Sequence, residues 1–238
     1  MPEDLSRDEV LAVVDRMIDD LLDKAAIAEP PVDAIMLAQR HLGMVVCLDR
    51  SQPQRGRAHR SAGKALIYLR PEPTAERHQW TVAHEIGEHL KPALLERLGV
   101  EPAQFRAMAG ESLANLFAYR LLVPNRWFPA DARDLDYDLL TLKPRYATSS
   151  HEVLAWRFLD LPDPCVVTII DNDNVSRRRS NSWRVHRRLE PAEKKCQQQV
   201  SAQGKPRVVR ENGWTVHGWP VHRDGWKREI LRSQVEMD

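Results

Sequence analysis

Cysteine is scarce in this chain of 238 residues: Cys47, Cys165 and Cys196 are the only three, and they stand far apart. An odd, scattered set excludes a disulfide framework and a thiolate zinc site, and it suits a reducing cytoplasm. No sign of charge dominates either. Lys and Arg number 35 against 34 Asp and Glu, a net of +1, so no global field selects nucleic acid or an anionic membrane. Long apolar runs are missing, and a stretch such as Cys165–Ile170 is far too short to span a bilayer. The opening MPEDLSRDEV is acidic and lacks the basic-then-apolar order of a secretory signal. No internal repeat or low-complexity tract is present. What is there is an ordinary globular balance, 42% hydrophobic and 29% charged, long enough for one or two domains with a real core.

Charge and texture both change along the chain. Residues 1–150 carry 19 basic and 22 acidic residues, whereas 151–238 carry 16 and 12, so the C-terminal part is the basic one. The first part reads as mainly helical. Val10, Leu11, Val14, Met17, Ile18, Leu21 and Leu22 recur at helical spacing over 8–24. Further helices are expected at 33–43, 75–91, 111–122 and from Ser149 or Ser150 to about 159, with short strands at 44–48 and 65–69 and a polar, basic loop over 50–64. After Pro162 the texture is that of short strands and turns. Cys165–Ile170 is a β-branched strand, and Asp171-Asn172-Asp173-Asn174 suits a hairpin turn into a return strand over 175–185. A short helix is expected at 191–202 and another at 227–231. A domain boundary is expected near 161, giving units 1–161 and 162–238.

The stretch Thr81-Val82-Ala83-His84-Glu85-Ile86-Gly87-Glu88-His89 carries chemistry. Positions four apart share a helix face, so His84 and Glu88 project together and both can bind a metal. Glu85 lies beside the first ligand, where the H-E-x-x-H zinc helix has its general base. The second His of that pattern is Glu88 here. His89 does not replace it, because five residues turn about 140° away from His84. A second register is open: in the inverted motif Glu85 and His89 are ligands and Glu88 the base. Further on, Glu111 opens a second helical stretch 23 residues after Glu88, a spacing that allows a third ligand from a neighbouring helix.

That second stretch reads Glu111-x-x-Ala114-Asn115-x-Phe117-Ala118-x-x-Leu121-Leu122-x-Pro124. Together with Arg77…Thr81-Val82-Ala83-His84-Glu85-Ile86-Gly87 it resembles the ImmA/IrrE family of metallopeptidases, over about residues 30–161. Eight positions of fourteen in the second stretch match the family pattern. The resemblance implies an α+β fold: a mainly helical, zincin-like metallopeptidase domain with a small sheet, followed by the small β-rich C-terminal region. It implies His84 and Glu111 as metal ligands and Glu85 as the catalytic base, in the His84 register, since Ala83 and Gly87 keep their places; Glu88, on the face it shares with His84, completes the expected ligand set at the position of the family's second histidine. The implied activity is that of an endopeptidase in which Glu85 works on a metal-bound water, with a helix-turn-helix repressor as substrate. The alternative is a non-catalytic binder or sensor on the same scaffold.

Glu88 departs from the family pattern. A second carboxylate makes the ion a weaker Lewis acid and shifts preference from zinc toward harder ions such as manganese. Gly87 suggests a close helix approach, because it otherwise costs about 1 kcal/mol of helix propensity. The strand 65–69 is a candidate to pair with an extended substrate through main-chain hydrogen bonds. The arginines at 177–179, 184, 187 and 188 near Trp183 form a basic run. Such runs are usually solvated faces, so direct nucleic-acid binding is not expected; the protein partner is what the resemblance implies.

Overall fold

A reciprocal cap at Ser6 starts the first helix. In the computed structural model, which describes residues 6–51, 56–61, 64–101 and 113–235, the Glu9 amide donates to the Ser6 hydroxyl (3.2 Å) and the Ser6 amide to the Glu9 carboxylate (2.7 Å). Two amides that a helix start leaves unpaired are thereby satisfied. Helix α1 (Arg7–Lys24) buries Val10, Val13, Val14, Met17, Ile18, Leu21 and Leu22. This is the expected stripe, with Val13 in place of Leu11.

Helix α2 (Ala34–Arg40) is capped by Asp33, whose carboxylate accepts from the Met36 amide at 2.9 Å. The side chain of Gln79 ties this start to the next helix. Its amide oxygen accepts from Ala34 N (2.7 Å) and its amide nitrogen donates to Asp33 (2.9 Å). Strands β1 (Val45–Leu48), β2 (Gly56–Ser61) and β3 (Lys64–Leu69) follow. They form one sheet in the order β1-β3-β2, with β1 parallel and β2 antiparallel to β3. The 50–64 stretch therefore contains a strand, where a loop was expected. Its polar, basic composition fits a sheet edge, and ladder bonds to β3 supply what propensity does not.

Helix α3 (Ala75–Arg97) runs on through Pro92, six residues beyond the end expected from sequence. The proline removes the helical bond to the carbonyl of residue 88, and packing of Leu94 and Leu95, both buried, carries the helix past it. Helix α4 (Leu113–Leu122) buries Phe117, Ala118, Leu121 and Leu122. Arg120 on the same helix is also buried and forms an ion pair with Asp15 of α1. Helices α5 (Phe128–Asp134), α6 (Leu139–Arg145) and α7 (His151–Arg157) complete the helical part.

Strands β4 (Val166–Asp171), β5 (Asn174–Ser180), β6 (Arg207–Glu211), β7 (Trp214–Pro220) and β8 (Arg228–Val235), with helix α8 (Pro191–Gln203), make the C-terminal part. The sheet is antiparallel throughout, in the order β5-β4-β8-β7-β6. The expected 171–174 turn is present, with Asn172 and Asp173 both at positive φ (47° and 64°), as a two-residue hairpin requires. Asn212-Gly213, a strong hairpin signal, turns β6 into β7 at φ 52° and 73°. Where a helix was expected at 227–231, residues 228–231 are instead the first half of β8. That strand lies between β4 and β7 and is buried on both faces, so sheet pairing overrides the helical propensity of Lys-Arg-Glu-Ile-Leu.

The chain divides into two compact units, Met1–Asp134 with Pro144–Ser150, and Leu135–Lys143 with His151–Asp238. In the second, Ile170, Ala192, Cys196, Val200, Val209, Val216 and Leu231 form the core. Burial pushes the Cys196 thiol up to about 12 and that of Cys165 upward as well, so both are inert core thiols. Trp219 is buried and donates to Asp138 at 2.9 Å. Among the described residues no helix is long and apolar enough to cross a membrane.

Candidate metal centre

Helices α3 and α4 meet through a ladder of matched positions. The rings of Trp80 and Tyr119 lie edge to face, 4.5 Å between centroids. One turn along, His84 Nδ1 and Asn115 Oδ1 are 2.9 Å apart. Beyond them Gly87 sits against Ala114. As the α3 numbers rise the α4 numbers fall, so the helices are antiparallel.

The His84–Asn115 contact decides which tautomer the neutral imidazole takes. An amide oxygen only accepts, so Nδ1 carries the proton and Nε2 keeps its lone pair. Metal-ligating histidines are oriented in this way, by a hydrogen bond from the ring nitrogen that does not bind the ion. The chemistry of His84 therefore fits a metal at Nε2. Asn115 is a positioning residue that the sequence offered only as one letter of a family pattern.

Gly87 has the close approach that its cost demanded. A Cβ there would stand 2.9 Å from Ala114 Cα and 3.1 Å from Phe117 Cβ. Gly87→Ala should destabilise the protein, because overpacking of about 1–3 kcal/mol outweighs the roughly 1 kcal/mol of helix propensity regained. Denaturant unfolding checks this, and a raised midpoint would show that α3 and α4 can separate without loss.

Glu88 follows His84 by one turn on the same helix, with its carboxylate about two-fifths exposed and Lys91 Nζ at 3.4 Å from its Oε2. A lysine thus stands beside the carboxylate that replaces the family histidine. Glu85 is half-buried, and the start of β2 comes against it. A Cβ on Gly56 would stand 2.2 Å from Thr81 Cγ2 and 3.1 Å from Glu85 Oε1. Only glycine lets the strand pass this close to the Glu85 carboxylate, and no motif marked it. At the head of α3, Glu72 has a buried side chain paired with both Arg70 and Arg77 at 3.0 Å.

Glu111 lies outside the described residues. Among the described ones, no three His, Cys, Asp or Glu side chains gather as a metal site. The strand at 65–69 cannot offer its main chain to a substrate, since β3 is the middle strand and already pairs on both sides. The neighbouring edge strand β2 takes over that possibility.

The profile of the IrrE N-terminal-like domain, Peptidase M78, matches residues 39–157, half of the chain. The chain belongs to this family. The M78 match spans the helix bearing His84 and Glu85, the stretch from Glu111 to Pro124, and all three strands of the small sheet. The scaffold is accordingly that of a peptidase family that is generally zinc-dependent. No curated protein sequence matches the chain. Among solved structures, a Mycobacterium tuberculosis transcriptional regulator is similar at 18% identity with a TM-score of 0.67, over 95% of this chain and 80% of that one. At that identity the likeness is one of fold.

Proposed function

We propose that this M78 protein is a metal-dependent endopeptidase, with His84, Glu88 and Glu111 as ligands and Glu85 as general base. The observation that carries the reading is the 2.9 Å contact between His84 Nδ1 and Asn115 Oδ1, which leaves Nε2 available to an ion. Zinc or manganese, when bound, supplies a Lewis acid that polarises the scissile carbonyl and acidifies water. Glu85 takes a proton from the attacking water and passes it to the leaving amine. The edge strand β2, beside Glu85, is the place for an extended peptide to pair. A helix-turn-helix repressor is the proposed substrate, on the family resemblance. The printed name of the structural neighbour, a transcriptional regulator, fits such a regulatory setting. A cytoplasmic location accords with the free cysteines.

The test is cleavage of repressors encoded beside the gene by the purified chain, loaded with zinc or with manganese. Tight binding without cleavage under both metals would replace the peptidase by a sensor that grips its regulator. The ion pair of Glu88 with Lys91 is the observation that favours that second reading.

Glu88→His should tighten zinc binding, because it supplies a neutral imidazole and releases Lys91. Competition with a chelator measures it. Equal or weaker affinity in the variant would mean that the surroundings are built around a carboxylate.

A further inference from the structure

The basic run near Trp183 separates into two groups with different fates. Arg177 pairs with Glu152. Arg178 is buried on Glu193 and Thr168, at 2.7 Å from each. Arg179 stacks over the Trp156 ring at 5.2 Å. All three have partners within the second unit, although only Arg178 has a buried side chain and Arg177 and Arg179 stay exposed. The next group, Arg184, His186, Arg187 and Arg188, is exposed and makes no hydrogen bond, ion pair or ring contact among the described residues. The run thus divides into three arginines that have partners and a following group that has none among the described residues.

Trp183 opens this free group and is itself 36% exposed. It is nevertheless held. The Asn181 side chain bonds Leu161 O and Asp163 O at 3.0 Å and accepts from Cys165 N at 2.9 Å. Ser180 Oγ accepts from the Trp183 amide at 3.4 Å. The ring also meets Trp214 edge to face at 6.3 Å. An anchored, open indole loses little freedom when a ligand stacks on it.

The same ring walls a cleft of about 470 Å³, with Asp163, Pro164, Ser182, Gln234 and Val235 as the other walls. That volume is in the range of small-molecule sites. Pro164 and Val235 give it apolar surface. Gln234 uses its amide oxygen on Arg232, at 2.7 Å, and keeps its amide donors. Asp163 has one oxygen on Tyr137, at 2.8 Å, and a second that can accept. The Asp163 carboxylate repels phosphate from the cleft but suits the amino edge of a nucleobase.

We propose that this cleft and the 183–188 segment bind a nucleotide unit: a base stacked on Trp183 with its edge toward Asp163 and Gln234, and phosphate on Arg184, Arg187 and Arg188. This departs from the expectation of no nucleic-acid contact, because the arginines left free are the ones that follow an open aromatic. The nucleotide can come free or as part of a single strand, and the probes distinguish the two.

The full-length chain is titrated without added metal against adenosine monophosphate, a short single-stranded DNA and polyglutamate. Trp183→Ala should weaken nucleotide binding about 5- to 150-fold, the range of one base–aromatic stack, while Trp183→Phe keeps most of it. Replacing Arg184, Arg187 and Arg188 together by Gln should lower the salt slope for the single strand by about 2. Binding of the monophosphate with that Trp183 dependence identifies a free nucleotide. Binding of the strand alone identifies nucleic acid. Equal binding of polyglutamate with no effect of Trp183→Ala overturns the proposal in favour of a plain polyanion patch, and no binding of any probe at low salt overturns it outright.

Discussion

Glu85→Gln should lower peptide cleavage by about 10²–10⁴, the usual contribution of a general base, while metal content and melting temperature stay as in the wild type. Glutamine keeps the shape that fits beside Gly56, where a Cβ would stand 3.1 Å from Glu85 Oε1, and removes only the ability to accept a proton. Glu111→Gln should behave differently. It is proposed as a ligand, so its loss should release the ion and abolish cleavage together. The two variants are compared on one substrate, with metal content measured on each preparation. If both lose metal, Glu85 is a ligand and the inverted register, with His89, is the right one. If Glu85→Gln cuts as fast as the wild type, the proton is moved by another group.

The second large effect is on stability. Glu193 of α8 has a fully buried side chain. Its Oε1 accepts from Arg178 and from the Ser233 hydroxyl, each at 2.7 Å, and its Oε2 accepts from the Glu190 amide at 2.8 Å. One carboxylate thus pairs a buried guanidinium and caps a helix. Glu193→Ala leaves the Arg178 charge in the core without its counter-ion, which costs about 3–5 kcal/mol. At about 2–4 °C per kcal/mol for a chain of this size, the protein should melt roughly 6–20 °C lower by calorimetry. Replacing both Glu193 and Arg178 by Met should recover most of that, because a well-packed apolar pair avoids the desolvation that the charges carry. A single-variant loss below about 1 kcal/mol would mean that water reaches the pair, as at a surface bridge.

Much of the scaffold was legible as local pattern. The α1 stripe, the helix carrying His84 and Glu85, and the Asn172-Asp173 turn each depend on residues a few places apart. Periodicity of 3.6 or of 2 and the positive φ of a tight turn are written at that range. Local pattern misleads where the deciding neighbour is distant in the chain. Lys227–Leu231 looks helical until β4 and β7 flank it. The polar 56–61 stretch looks like loop until β3 offers its ladder bonds. Pro92 looks like a stop until buried leucines carry the helix past it.

The sequence by itself determined the family, the helix that presents His84, Glu85 and Glu88, and the need for something close against Gly87. The ordering of helix and strand faces follows from side-chain spacing, and so does the shared face of His84 and Glu88. Only the tertiary structure decided which partner each of these groups meets. Asn115, 31 residues from His84, sets the imidazole tautomer; Gly56 admits a strand to Glu85; and Glu193 withdraws Arg178 while Arg184, Arg187 and Arg188 stay free. Spacing along a chain says which way a side chain faces. What stands opposite it depends on packing between segments, and a single sequence carries no record of those distances.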